Sequence, residues 1–101
     1  MQNKNQVLKI GNKEFKSRLL LGTGKYSSLD VMEQSLLNSK CEIVTVAVRR
    51  IQEIQKSHKG LMESIDWKNI WMLPNTAGCS NAEEAIRIAR LGRELAKLAG
   101  Q

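Results

Sequence analysis

The stretch "LPNTAGCS", Leu73–Ser80, decides the fold. An apolar run ends there in small and polar residues. The sequence "NAEEAIRIARLGRELAKLAGQ" follows, and its periodicity predicts a helix from Asn81 to about Ala99. Ser80 and Glu83 have the spacing of a capping box, which predicts that the helix starts at Ser80. A buried strand, a polar turn and a helix together make one β/α unit.

Working back from there, the same unit occurs twice more. "RLLLGTG" precedes "KYSSLDVMEQSLLNSK", where Ser27 or Ser28 can cap a helix and Leu29, Met32 and Leu36 recur at helical spacing. "EIVTVAVRR" reads as a strand through Arg50 and leads into a weaker region, Ile51 to Trp67, that holds a short helix. Ahead of all three, "VLKIGNKEFK" reads as a hairpin, Val7–Ile10 and Lys13–Lys16, turning at Gly11-Asn12. The strands begin near Leu19, Glu42 and Ile70. They are apolar on both faces and are separated by helical stretches, which is the pattern of a parallel α/β sheet. Three units alone would leave two open sheet edges, whereas a closed (βα)8 TIM barrel takes about 250 residues. Residues 1–101 therefore read as the N-terminal part of one barrel domain: a hairpin plus the first three βα units, with the remainder absent.

Composition narrows the function. With 42% hydrophobic and 26% charged residues, the 101-residue chain has the make-up of a globular domain. No apolar run approaches the roughly 20 residues that span a bilayer, so no membrane role is expected. The polar start "MQNKNQ" lacks the apolar core of a secretory signal. Sixteen Lys and Arg against ten Asp and Glu give a net charge of +6, compatible with an anionic ligand. A nucleic-acid partner is not expected, because the cations are dispersed and only Phe15, Tyr26, Trp67 and Trp71 could stack on bases. Cys41 precedes a strand and Cys79 follows one, so they fall at opposite ends of a parallel sheet and predict no disulfide. They also lack metal-ligand spacing.

Ligands of parallel α/β folds bind beyond the carboxyl ends of the strands. Here those ends carry Gly22, Thr23 and Gly24, then Arg49-Arg50, then Asn75, Thr76 and Gly78. "GTGK" lacks the further glycines of a phosphate loop or a dinucleotide fingerprint, and its glycines read as a sharp strand-to-helix turn. Strand alternation puts Val44, Val46 and Val48 on the helix side and Thr45, Ala47 and Arg49 on the other. Arg49 then faces the mouth, where it either binds an anion or pairs with a loop carboxylate, and Arg50 falls on the outer side. Asn75 and Thr76 can hydrogen-bond a substrate or satisfy their own loop. His58 reads as a solvated loop residue and Lys97 as a surface residue.

"KSRLLLGTGKYSS", "EIVTVAVRR" and "IDWKNIWMLPNTAGCSNAEEAIRIARLGRE" resemble the N-terminal part of the thiazole synthase family, in family order and spacing, from about Leu8 to Gln101. The wording is that of cyanobacterial and plastid members, with "SIDW" and "SNAEEAIR" as small departures. The resemblance implies a (βα)8 barrel with a hairpin at its foot, and a transferase of the thiamine pathway that uses no cofactor or metal. It implies 1-deoxy-D-xylulose 5-phosphate, dehydroglycine and the thiocarboxylate of a sulfur carrier protein as partners, and a homo-oligomer at full length. The family's imine-forming (Schiff-base) lysine belongs to a "VKLEV"-like fourth strand and its phosphate-binding glycines to late strands. The catalytic lysine is thus expected beyond Gln101, with no catalytic residue in this chain. Gly22, Thr23, Gly24, Arg49, Asn75, Thr76 and Gly78 remain as pocket lining. The expected location is the plastid (chloroplast) stroma, plastid-encoded, or else a cyanobacterial cytoplasm. The competing expectation is an inactive half-barrel that binds a sulfur carrier or a complementary chain.

Overall fold

The computed structural model describes residues 7–55 and 60–101, and the side chains of all of these except 52–55. His58 lies outside the described residues. Strands β1 (Leu8–Ile10) and β2 (Lys13–Phe15) pair antiparallel across a turn in which Gly11 takes φ +60°. Then follow β3 (Leu20–Leu21), α1 (Leu29–Ser39), β4 (Ile43–Ala47), α2 (Val48–Gln55), α3 (Leu61–Ser64), β5 (Trp71–Asn75) and α4 (Ala82–Leu98). Strands β3, β4 and β5 form a parallel sheet in that order, with Leu20 opposite Ile43 and the β4–β5 ladder running from Ile43–Trp71 to Ala47–Asn75. The chain is of the α/β class.

Two faces of the sheet differ sharply. On one, Val44, Val46 and Met72 pack with Met32 and Leu36 of α1, Ile51 of α2, Leu61 of α3, and Cys41 and Ile65. Met32 and Leu36 stand one helical turn apart, which is why α1 lies along this face. Each such side chain taken out of water contributes about 1.5–3 kcal/mol. On the other face Ile43 is buried at the foot, but Leu20 and Leu73 remain 40% and 43% exposed, and Thr45 and Ala47 are half-buried.

The hairpin is anchored at the foot of this sheet. Backbone N–H groups of Lys16 and Ser17 donate to Glu42 Oε1 at 2.5 and 2.9 Å, which turns the chain out of β2 one residue before the expected end at Lys16. Lys13 Nζ lies 4.4 Å from the centre of the Trp71 ring, a cation–π contact.

Two sequence expectations are corrected. The second strand stops at Ala47, and Val48, Arg49 and Arg50 open helix α2. Its ladder partner ends too, since Asn75 opposite Ala47 is the last residue of β5. Without a partner the backbone must bond within its own segment, and "RRIQEIQ" is rich in residues that favour a helix. Val48 is still fully buried with Val44 and Val46. The second correction concerns the start of α4. Asn81, not Ser80, is the N-cap, and its Oδ1 accepts from the Glu84 N–H at 2.8 Å. Asn81 with Glu84 repeats the spacing of Ser80 with Glu83 one residue on, and Asn caps as well as Ser. For α1 the cap is Ser28, whose Oγ accepts from the Val31 N–H at 3.1 Å.

Candidate functional site

The strand-end loops meet at the first turn of α2. The two arginines that open this helix reach in opposite directions. Arg49 Nη1 donates to the carbonyl of Gly78 in the loop after β5 and lies 3.3 Å from Glu84 Oε1 in the first turn of α4. Arg50 lies over the loop after β3, where its Nη1 comes within 2.8 Å of the place a Cβ on Gly24 would occupy. Gly78 has φ +88°, and its Cβ position would lie 3.1 Å from Arg49 Nη1, so both the backbone angle and the guanidinium select glycine there.

Side chains fix the rest of the rim. Thr23 Oγ1 donates to the Thr45 carbonyl at 3.1 Å, joining the first loop to β4. Tyr26 Oη donates to the Gly22 carbonyl at 3.1 Å. Asn75 Oδ1 accepts from the Ala77 N–H at 3.0 Å, and the Cys79 N–H donates to the Thr76 carbonyl at 3.2 Å, so the loop after β5 is held by its own turns. Gly22, Gly24, Asn75, Gly78, Arg49 and Arg50 are exposed, while Thr23, Thr76 and Cys79 are half-buried.

The candidate residues thus fall into two groups. Gly22, Thr23 and Gly24 gather at β4 and Arg50. Asn75, Thr76 and Gly78 form one turn, of which Gly78 is gripped by Arg49. Arg49 pairs with a carboxylate, Glu84, which stands in the first turn of α4 and not in a loop. Arg50 lies at the rim instead of on the outer side, because the helix rotates it away from the alternation that a strand would impose. Glu84 is the residue that sequence reading missed. The signal for it was an unpaired Arg at a strand end and an acid in the first turn of the next helix. Among the described residues no group of three or more His, Cys, Asp or Glu is placed to hold a metal, and no helix is long and apolar enough to cross a membrane. Cys41 is buried, Cys79 is not, and both are free thiols.

The amino-acid sequence that builds these strand ends matches a known family. The family model described as thiazole biosynthesis protein ThiG covers residues 9–99. The chain belongs to the ThiG family. Among curated relatives, thiazole synthase of Prochlorococcus marinus (strain NATL2A) is 83% identical over 101 residues, which are all of this chain and 38% of the relative. Thiazole synthase of Prochlorococcus marinus (strain NATL1A) is 81% identical over 101 residues, again all of this chain and 38% of the relative. That of Parasynechococcus marenigrum (strain WH8102) is 70% identical over 92 residues, 91% of this chain and 34% of the relative. The chain spans little more than a third of the relatives it matches. All three strand-end loops, and Arg49, Arg50 and Glu84, lie inside the ThiG match.

Lys97, in the last turn of α4, pairs with Glu94 at 3.3 Å and is exposed to solvent. An imine-forming lysine needs a desolvated pocket, which this exposed position on the helix does not provide.

Proposed function

We propose that the protein carrying this chain is a thiazole synthase of thiamine biosynthesis, built as a (βα)8 barrel of which β3, β4 and β5 are the first three strands. The 83% identity to a thiazole synthase across the whole chain carries this reading. The exposure of Leu20 and Leu73 on one sheet face supports the barrel, because a barrel interior would bury both. The substrates are 1-deoxy-D-xylulose 5-phosphate, dehydroglycine and the thiocarboxylate of a sulfur carrier protein. The product is the thiazole phosphate.

The chemistry begins on the strand after α4. A lysine amine there attacks the ketose carbonyl, water leaves, and the imine draws electrons from the adjacent C–H bond so that its proton can be removed. This chain supplies the first three loops of the mouth. Lys25, Arg49 and Arg50 against Glu84 leave its rim positive, which favours anionic substrates. The relatives are cyanobacterial, and we place the protein in a cyanobacterial cytoplasm in preference to a plastid.

The test is product formation from the three substrates. The full-length protein is expected to yield thiazole phosphate, and residues 1–101 alone none. A full-length protein that forms no thiazole, or a 101-residue chain that does, would overturn the reading.

A further inference from the structure

The N-terminus of a helix disfavours cations, yet the first turn of α2 carries two arginines and no acid. Something must offset this, and for Arg49 it is Glu84. That carboxylate sits in the first turn of α4, where the dipole favours it, and is three-quarters buried. One nitrogen, Nη1, serves both the Gly78 carbonyl and Glu84. A guanidinium nitrogen has two hydrogens in a fixed plane, so it holds two acceptors at a set angle. The Gly78 carbonyl is thereby tied at once to α2 and to α4. The neighbouring Arg50 lies on Gly24, so the same turn also bears on the loop after β3.

We infer that Arg49 is a positioning residue of the mouth: through the Gly78 carbonyl, and locked by Glu84, it sets where the Asn75–Ser80 loop stands relative to the other strand ends. Arg49 needs no contact with substrate for this. The inference rests on the reading of the strand ends as the mouth of the synthase. Lysine cannot replace it, since an ammonium on a flexible stem does not hold two acceptors in one plane.

Cys79 lies in this loop, half-buried, and reports its position, while Cys41, 5% exposed in the core, reports global unfolding. The experiment measures alkylation of both thiols by iodoacetamide, resolved by peptide mapping, in the full-length protein and its variants Arg49→Lys and Glu84→Gln. Each variant is expected to raise the Cys79 rate at least fivefold with Cys41 unchanged. In turnover assays each is expected to lower kcat at least tenfold at an unaltered melting temperature. Cys79 rates equal to wild type, a Cys79 rise only in step with Cys41 in both variants, or full activity in Arg49→Lys overturns the inference. A wild-type protein without synthase activity would instead sink the functional reading, and the thiol rates would still decide the clamp.

Discussion

Gly92 of α4 sits on Pro74 of β5 so closely that a Cβ on the glycine would fall 2.8 Å from the proline Cβ and 3.0 Å from Val48 Cγ2. A glycine inside a helix costs about 1 kcal/mol relative to alanine, so its presence in a 17-residue helix needs a reason. The reason is this approach, which lets α4 settle on the sheet beside the loops it helps to hold. Gly92→Ala is expected to destabilise despite the better propensity. Overpacking costs about 1–3 kcal/mol and alanine returns about 1 kcal/mol of propensity, so a net loss of about 1 kcal/mol, and at most about 2, is expected by urea unfolding. An unchanged or raised midpoint would show that the helix can lift off without penalty.

Gln101 closes the other end of the same helix. Its Oε1 accepts from the Met72 N–H at 2.8 Å, and its Nε2 donates to the carbonyls of Ile70 at 2.8 Å and Trp67 at 3.1 Å. The Trp71 N–H points the other way, to the Glu42 carbonyl, so Met72 faces the outer edge of β5. Two residues on, Pro74 has no N–H to offer on that edge. Gln101→Ala would strand three half-buried backbone groups and should cost about 1–3 kcal/mol, whereas Gln101→Glu keeps only the acceptor and should fall between. Equal unfolding midpoints for all three proteins would refute the role.

Much of this architecture was legible in the residues. Val44 and Val46 alternate as a half-covered strand must, and Met32 and Leu36 keep helical spacing, so the sheet and α1 could be placed from pattern alone. The end of β4 could not. "VAVRR" continues the alternation smoothly, and only the loss of a ladder partner beyond Asn75 turns Val48 into a helix start. That is non-local information. The same limit hid the site: Arg49 and Glu84 are 35 positions apart and meet only because α2 and α4 both start at one end of the sheet. The position of Arg50 followed wrongly from the strand assignment, since one change of backbone re-aims every later side chain.

Asp66, far from the mouth, gives a pH test. The Asn69 side-chain amide donates to it at 2.6 Å and the Lys68 N–H at 3.1 Å, and these hydrogen bonds hold its carboxyl below the usual range. The folded value is depressed. Its contribution is therefore complete above the unfolded value, about 3.9, and is lost as pH falls through the folded one. The stability gap between wild type and Asp66→Ala should be constant above about pH 5 and close below about pH 4. The contacts are solvent-exposed, so the gap should be small, and it should change little with salt because hydrogen bonds dominate it. A gap that widens in acid would contradict the assignment.

Leu73 tests whether further strands close the barrel over the open part of the sheet face. It projects from the face of β5 opposite Met72 and Pro74, and is 43% exposed beside a Leu20 that is 40% exposed. If further strands close over this face, both leucines become interior. Leu73→Asp in residues 1–101 should then change stability by no more than about 0.5 kcal/mol, as surface substitutions do. In the full-length protein the same change would bury an unpaired carboxylate and cost about 3 kcal/mol or more, seen as loss of soluble protein or a steep fall in melting temperature. Leu73→Met, of similar volume, should be tolerated in both. A full-length Leu73→Asp protein as stable as its parent would mean that this face stays open to solvent, and the barrel would have to be abandoned.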